Sequence, residues 1–211
     1  MGVTKRNILA KPRTDPTGKY IYDTHLVIPS TARESWPVLG YPLVIALVYA
    51  WYNYLTLDAK LRTIVAAVAF AGIEYNFYST TIETVDGDIL LRPFDPRCRK
   101  GHTTWHQFFA NIIFTPLLLD IYFAVVPTWP LRVLLFPFNV WLLEIVEGYV
   151  LMYLYGYNPA WTYRGTDAYF HNNIKLGYWY FWLGLGAAVE LIFPFAVQYT
   201  QAAAAALMQY L

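Results

Sequence analysis

Long apolar runs dominate the pattern of the chain after a polar first segment. A helix needs roughly 20 apolar residues to cross about 30 Å of hydrocarbon at about 1.5 Å per residue. Five windows of that kind run from Val38 to Leu57, Thr63 to Ile82, Trp105 to Val126, Leu131 to Tyr155 and Gly177 to Tyr199. The pattern predicts an all-α fold, a polytopic transmembrane helical bundle with about five membrane-spanning helices.

The polar segments divide the chain into three parts. Residues 1–37 form a polar, basic N-terminal arm, residues 38–200 form the transmembrane helical bundle, and residues 201–211 form a short C-terminal helical tail. The arm contains Lys5, Arg6, Lys11 and Arg13 before its first acid, Asp15. A basic arm beside a membrane attracts anionic lipid. A contact with a partner subunit and an organelle import signal are the other interpretations.

The composition agrees with a membrane protein. Hydrophobic residues make up 57% of the chain, aromatic residues 19% and charged residues only 14%, which lies outside the usual range of soluble domains. A net charge of +1 gives no reason to expect nucleic acid as a partner. The expected partners are membrane lipids and other membrane-protein subunits. The sequence requires no cofactor, and bound lipid is expected.

The basic residues are distributed unequally between the two ends of the predicted bundle. With five spans, 12 of the 15 Lys and Arg residues lie on the amino-terminal side, and only Lys60, Arg62 and Arg132 lie opposite. Positive charge is retained on the cytoplasmic side of membranes. The count places the amino terminus in the cytoplasm, or in the equivalent matrix or stroma if the membrane is an organellar inner membrane.

Acidic residues recur inside the apolar runs. They are Glu74, Asp120, Glu144, Glu147 and Glu190. An acid at such depth is costly and needs a partner or a purpose, and no Lys or Arg lies near Glu144 and Glu147 in the sequence. One interpretation is a hydrogen-bonded network that fixes helix packing, with Tyr and Asn side chains as donors. The other is a polar pathway or a proton relay.

A metal site is a further hypothesis. His102 and His106 are four residues apart, so a helix that begins early enough would place both on one face. Four histidines in the whole chain are too few for the histidine-rich di-iron enzymes. A carboxylate-rich di-metal bundle lacks its usual Glu-x-x-His pair, because Glu144 is followed three residues later by Glu147. No complete catalytic set is visible, which favours a protein that is not an enzyme.

One segment resembles a known family. Its residues are Trp141-Leu-Leu-Glu144-Ile-Val-Glu147-Gly148-Tyr-Val-Leu151, then Gly156 and Pro159-Ala-Trp161-Thr-Tyr163. This pattern resembles the ABC-transporter type IV membrane family, whose animal members are called transmembrane protein 229. Gly72-Ile73-Glu74 is similar to that family's first Glu-bearing helix, and Gly184 to Glu190 is similar to its last.

The resemblance covers about Ile64 to Phe195 and implies a set of characteristic positions. They are Gly72, Glu74, Glu144, Gly148, Trp161, Tyr163 and Glu190. Thr162 replaces the usual Asp of the family's Trp-Asp-Tyr loop, and Glu147 stands where a small or hydroxyl residue is common. Independently of the family, Gly72, Gly148, Gly184 and Gly186 predict tight helix crossings, since glycine permits close approach of helices in lipid.

Three functions fit these patterns. The leading hypothesis is a non-catalytic accessory or scaffold subunit of a larger membrane complex, because no catalytic set accompanies the long polar arm. The first alternative is a transporter or a proton-coupled permease component that uses the intramembrane carboxylates. The second alternative is a metal-dependent membrane enzyme that uses His102, His106 and nearby acids.

Overall fold

The computed structural model describes most of the chain after the N-terminal arm. The described residues are 13–14, 20–21, 42, 44–83, 89–96, 98, 103–155, 158, 160–163 and 165–210. Within them the fold is mostly helical. The helices are residues 44–54, α1 Leu57–Thr80, α2 Trp105–Thr115, α3 Tyr122–Val125, α4 Trp129–Tyr155 and α5 Trp179–Leu207.

Short antiparallel hairpins and turns connect the helices. The hairpins pair β1 Arg13–Thr14 with β2 Tyr20–Ile21, β3 Thr81–Glu83 with β4 Ile89–Leu91, and β5 Ala168–Tyr169 with β6 Ile174–Lys175. A 3-10 turn, Leu176–Tyr178, leads into α5. The apolar pattern did not predict these hairpins, since two or three residues of strand leave no periodic signal.

Three helical segments are long and apolar enough to cross a membrane in the part of the chain that the structure describes. They are Trp105–Val125, Trp129–Met152 and Leu176–Leu207. The prediction is therefore confirmed in part: the described chain is mostly helical, and these three segments have the length and hydropathy of membrane spans. The predicted second span is a helix of 24 residues, α1. Its second half carries Glu74, Asn76 and Ser79, which lower its hydropathy.

The long helices pack side by side. Arg132 and Phe136, near the start of α4, meet Glu190 and Gly186 of α5 in reverse order, so α4 and α5 are antiparallel. The largest buried cluster joins α4 and α5 to α3 and to the segment between α2 and α3. Its residues are Leu119, Tyr122, Phe136, Val140 and Phe193.

The last helix extends beyond the predicted span. α5 contains 29 residues, which corresponds to about 44 Å at about 1.5 Å per residue, longer than the hydrocarbon core of about 30 Å. Residues 201–207 continue this helix without a break. The predicted C-terminal tail is therefore, over these residues, the end of α5.

Only one of the three helix-crossing glycines Gly72, Gly184 and Gly186 has a close neighbour among the described residues. At Gly186 a methyl group would collide with the Phe136 side chain of α4, so this glycine does permit a close helix approach. At Gly72 and Gly184 a methyl group would meet no described atom within 4 Å. A tight crossing therefore explains Gly186, whereas no described neighbour accounts for Gly72 or Gly184.

A π-helical turn, Pro116–Ile121, joins α2 to α3. A π-helical turn accommodates one more residue than an α-helical turn and leaves carbonyl groups poorly paired. The side chain of Asn139 on α4 donates a hydrogen bond of 2.9 Å to the carbonyl oxygen of Leu118 within this turn. The irregular turn is thus fixed by a polar contact from the neighbouring helix.

Candidate binding cavity

A cavity of about 250 Å³ lies between α1, α2, α4, α5 and the loop that follows α4. Its walls contain three carboxylates and a majority of apolar and aromatic side chains. The acids are Glu74, Glu144 and Glu147. Three of the five predicted intramembrane acids therefore meet at one cavity, although Glu74 lies about 70 residues before the other two in the sequence.

Glu144 and Glu147 are three residues apart on α4, which places them on the same face of the helix. The hydroxyl of Tyr163 donates a hydrogen bond of 2.5 Å to Oε1 of Glu144. The other oxygen of this carboxylate is buried without a hydrogen-bond partner among the described residues. Glu147 is only 8% exposed. No described residue donates a hydrogen bond to Glu147.

The Tyr163 hydroxyl keeps the proton that it donates to Glu144. Burial, followed by the charge of Glu144 and the hydrogen bond to it, raises the pKa of Tyr163 well above its usual range. The phenol therefore keeps its proton at any physiological pH. The hydrogen bond gives the loop residue Tyr163 a fixed contact with the centre of α4.

Glu74 reaches the cavity from α1. The side-chain amide of Gln107 on α2 is oriented with its nitrogen toward Glu74. This nitrogen donates to Oε1 of Glu74 over 2.6 Å and lies 3.1 Å from Oε2. Thr103 also hydrogen-bonds to this carboxylate. All of these donors are neutral. Among the described lining residues no Lys, Arg or His balances the three acids.

Two further polar groups in the cavity wall have no partner among the described residues. The hydroxyl of Thr115, a residue only 1% exposed, and the indole nitrogen of Trp182 are both buried and unpaired. Buried polar groups in native proteins are nearly always paired. The two residues that carry these unpaired donors line the same cavity as Glu144 and Glu147.

The loop after α4 carries Trp161 and Tyr163 into the cavity wall. Asn158 anchors it, because its side-chain oxygen accepts bonds from the backbone N–H groups of Ala160 and Trp161 over 3.0 and 3.2 Å. The indole N–H of Trp161 donates to the carbonyl oxygen of Asn173 over 2.8 Å. Asn158 in turn donates to the side-chain oxygen of Asn173 over 3.0 Å.

Gly148 accommodates this loop rather than a neighbouring helix. A methyl group at Gly148 would overlap the side-chain amide of Asn173, which is completely buried. Asn173 lies in the turn just before β6. The expectation that Gly148 permits a helix crossing is therefore wrong, and its role is to admit the residue that holds Trp161.

The same loop is fixed by a second polar contact outside the apolar helices. Lys175 Nζ lies 2.6 Å from Oδ1 of Asp167, and the backbone N–H of Gly177 donates to Oδ2 over 2.9 Å. Burial alone raises the pKa of Asp167, but the hydrogen bond and charge of Lys175, helped by the Gly177 N–H, outweigh it and lower the pKa below its ordinary value.

Three consecutive residues in the turn between β5 and β6 have left-handed backbone conformations. They are Phe170, His171 and Asn172, with φ of 52°, 59° and 67°. This conformation is unfavourable for residues other than glycine. The hydroxyl of Tyr149 lies 2.8 Å from Nδ1 of His171, and Tyr163 N–H donates to the carbonyl oxygen of Asn172 over 2.9 Å. These contacts hold the strained turn against α4 and the cavity loop.

The other two predicted acids lie elsewhere, in ion pairs. Glu190 pairs with Arg132, and Asp120 pairs with Arg62, whose Nε donates over 2.7 Å. Arg62 also bonds Asp58 and the hydroxyl of Thr200. Neither arginine is predicted as a partner from the sequence, because each lies 58 residues from its acid. The available signal was that Arg62 and Arg132 border predicted spans, within reach of a neighbouring helix.

The predicted histidine pair falls partly outside the described residues. His106 lies in the first turn of α2, and His102 is outside the part that the structure describes. Within the described residues no three His, Cys, Asp or Glu side chains are grouped so that they could hold a metal ion. The metal pair stays a prediction.

The fold and the cavity define a helical protein with three helices compatible with a membrane protein. No protein family, curated protein or solved structure matches the chain. The resemblance to the transmembrane protein 229 family therefore stays a prediction from its motif residues.

Proposed function

We propose that this chain is a multi-pass membrane protein that acts as a transporter or a proton-coupled permease component. Its helices would bind a solute in the cavity, and Glu74, Glu144 and Glu147 would be the binding and proton-carrying groups. The observation that carries the proposal is the meeting of these three acids from two helices in one cavity without a described cation beside them. Acids inside membrane helices commonly mark ion and substrate pathways.

The proposal includes five membrane spans with the amino terminus on the cytoplasmic, matrix or stromal side. It is supported by the antiparallel order of the helices, which brings the chain between α1 and α2 and the loop after α4 to the same end. The sequence count also supports this orientation, with 12 Lys and Arg residues at that end against three at the other.

Proton flux into proteoliposomes tests the proposal. A potassium gradient with valinomycin sets a negative interior, and a trapped pH dye reports entry of protons. The wild-type chain should acidify the vesicles faster than empty vesicles, and the double variant Glu144→Gln with Glu147→Gln should lose this flux. Asp95→Asn removes a carboxylate outside the cavity and should leave the flux intact. Equal flux in the wild type and the double variant would overturn the proposal.

The accessory-subunit and metal-enzyme hypotheses stay predictions. Purification in mild detergent tests the first of them, because an accessory subunit should bring its partner with it. A partner that co-purifies in fixed ratio, with no flux from the chain alone, would favour the accessory role over transport. Elemental analysis of the same preparation tests the second, and bound metal in fixed ratio would favour it.

A further inference from the structure

We infer that the cavity binds a small organic cation that carries an alkylated ammonium group. The inference rests on the proposed function, since it names the class of solute for the same cavity. Three properties of the wall carry it: its charge, its aromatic rings and its size.

The charge of the wall favours a cation. Glu147 is more than nine-tenths buried and has no described partner, and one oxygen of Glu144 is also buried and unpaired. An ionised carboxylate in such surroundings needs a positive partner. Neither the described wall nor its hydrogen bonds provide one. An anionic ligand would be repelled, whereas a cation would complete the site.

The aromatic rings select an organic cation over a hydrated inorganic ion. Nine of the 20 lining residues are aromatic: Phe70, Phe77, Tyr78, Phe114, Trp161, Tyr163, Tyr178, Phe181 and Trp182. Aromatic faces attract alkylated ammonium groups, and cages of such rings bind choline-like ligands. An ion with a tight water shell gains little from these rings, whereas methyl groups on nitrogen can contact them directly.

Several of these rings pack against each other edge to face. Tyr178 meets Tyr163 with an interplanar angle of 85° and Phe181 with an angle of 84°. Phe77 meets Phe181 at 89°. Edge-to-face contacts of this kind are favourable between aromatic rings and fix the positions of the rings in the cavity wall.

The volume limits the ligand to a small molecule. Drug-sized ligands occupy pockets from about 300 Å³ upwards, and this cavity measures about 250 Å³. Choline, with three methyl groups on its positively charged nitrogen, is an organic cation of this size. It occurs free in cells and as the headgroup of phosphatidylcholine, and the chemistry of the site is the same for both sources.

Choline titration of the full chain, purified in a detergent without choline headgroups, tests the inference. Isothermal calorimetry measures binding, and the uncharged carbon isostere dimethylbutanol is the control ligand. Choline should bind at least tenfold more tightly than the isostere. Glu147→Gln should weaken choline binding at least tenfold while leaving the chain as heat-stable as the wild type, because it removes an unpaired buried acid.

Variants of two tryptophans on α5, one inside the cavity and one outside it, test the role of the aromatic wall. Trp182→Leu removes a π face from the cavity and should weaken binding severalfold, and Trp182→Phe should restore most of it. Trp179→Leu changes a half-exposed tryptophan of the same helix outside the cavity and should bind choline like the wild type. Thermal unfolding of each variant confirms that it is folded. Glu147→Gln decides the result if Trp182→Leu does not fold.

Three results would overturn the inference: no choline binding, equal binding of choline and its isostere, or unchanged binding in a folded Glu147→Gln variant. Competition by a short-chain phosphatidylcholine would identify the lipid headgroup as the ligand, and lack of competition would identify the free cation. Choline binding without any flux in proteoliposomes would remove the proposed transport and keep the site. Proton flux without choline binding would keep the proposed transport and remove the choline site.

Discussion

Arg132 and Glu190 face each other through two parallel hydrogen bonds between α4 and α5. Arg132 Nε donates to Oε2 over 2.8 Å and Nη2 donates to Oε1 over 2.5 Å. Nη1 donates to the carbonyl oxygen of Val126 over 3.0 Å, and the guanidinium lies 4.7 Å from the centre of the Phe123 ring. One arginine thus joins α4, α5 and the turn before α4.

Breaking this pair from one side should be costly. Glu190→Gln would leave the charge of Arg132 without its partner between helices, where both side chains are less than one-fifth exposed. We expect the free energy of unfolding to fall by about 3 kcal/mol, and replacement of both residues by Leu and Met to recover most of this loss. Unfolding in mixed detergent micelles measures both. A double variant as unstable as the single one would contradict the role of the pair.

Gly148→Ala should displace the loop that carries Trp161 and Tyr163. The added methyl group would overlap the amide of Asn173, and overpacking of this kind costs typically about 1–3 kcal/mol. Limited proteolysis within residues 158–175 should become faster, and choline binding should weaken. Gly184→Ala is the matched control, because its methyl group meets no described atom within 4 Å. Equal proteolysis rates in the two variants would contradict this account of Gly148.

Tyr163→Phe should destabilise the protein through Glu144. The variant removes the hydroxyl that donates to Glu144 Oε1 and leaves both oxygens of a largely buried carboxylate without a donor. Loss of such a partner costs about 1–3 kcal/mol. Adding Glu144→Leu should recover stability, since no acceptor then remains unpaired. Chemical or thermal unfolding of the three chains measures the effect, and a fully stable Tyr163→Phe variant would show that Glu144 does not depend on this bond.

Asp167→Asn should lower the stability of the chain near neutral pH but not in acid. The pKa of Asp167 is lowered in the folded chain, so its ion pair contributes above the ordinary pKa of 3.8 and the contribution is lost as the pH falls through the lowered value. The Asp167 side chain is 38% exposed, and the loss at pH 7 should therefore be about 1 kcal/mol or less. Unfolding curves of wild type and variant should converge in acid. A constant difference down to the most acidic pH would contradict the ion pair as its cause.

The apolar pattern predicted the helices well, because length and hydropathy are local properties. The window from Trp105 to Val126 corresponds to helical residues 105–125, and the window from Leu131 to Tyr155 lies within α4. The window from Gly177 to Tyr199 ended too early, because the alanines that follow continue the helix as readily as the apolar residues before them.

The candidate site could be predicted only in part. Helical spacing places Glu144 and Glu147 on one face, but it does not say which helix covers that face. The meeting with Glu74, the donation from Tyr163 and the pairing of Asp120 with Arg62 depend on contacts between distant segments. Such contacts leave no periodic signal in a single sequence. The sequence alone therefore does not distinguish the three acids of the cavity from the two acids in ion pairs.

Because of the π-helical turn Pro116–Ile121, the helical segment 105–125 presents its polar side chains in different directions before the turn and within it. Before it, Gln107, Asn111 and Thr115 face the cavity, and within it Asp120 faces Arg62. One extra residue advances an α-helix by about 100°. The turn therefore rotates the second part of the segment relative to the first, so that one part lines the acidic cavity and the other places Asp120 beside Arg62. Deletion of a single residue in the turn would keep only one of these two contacts in place.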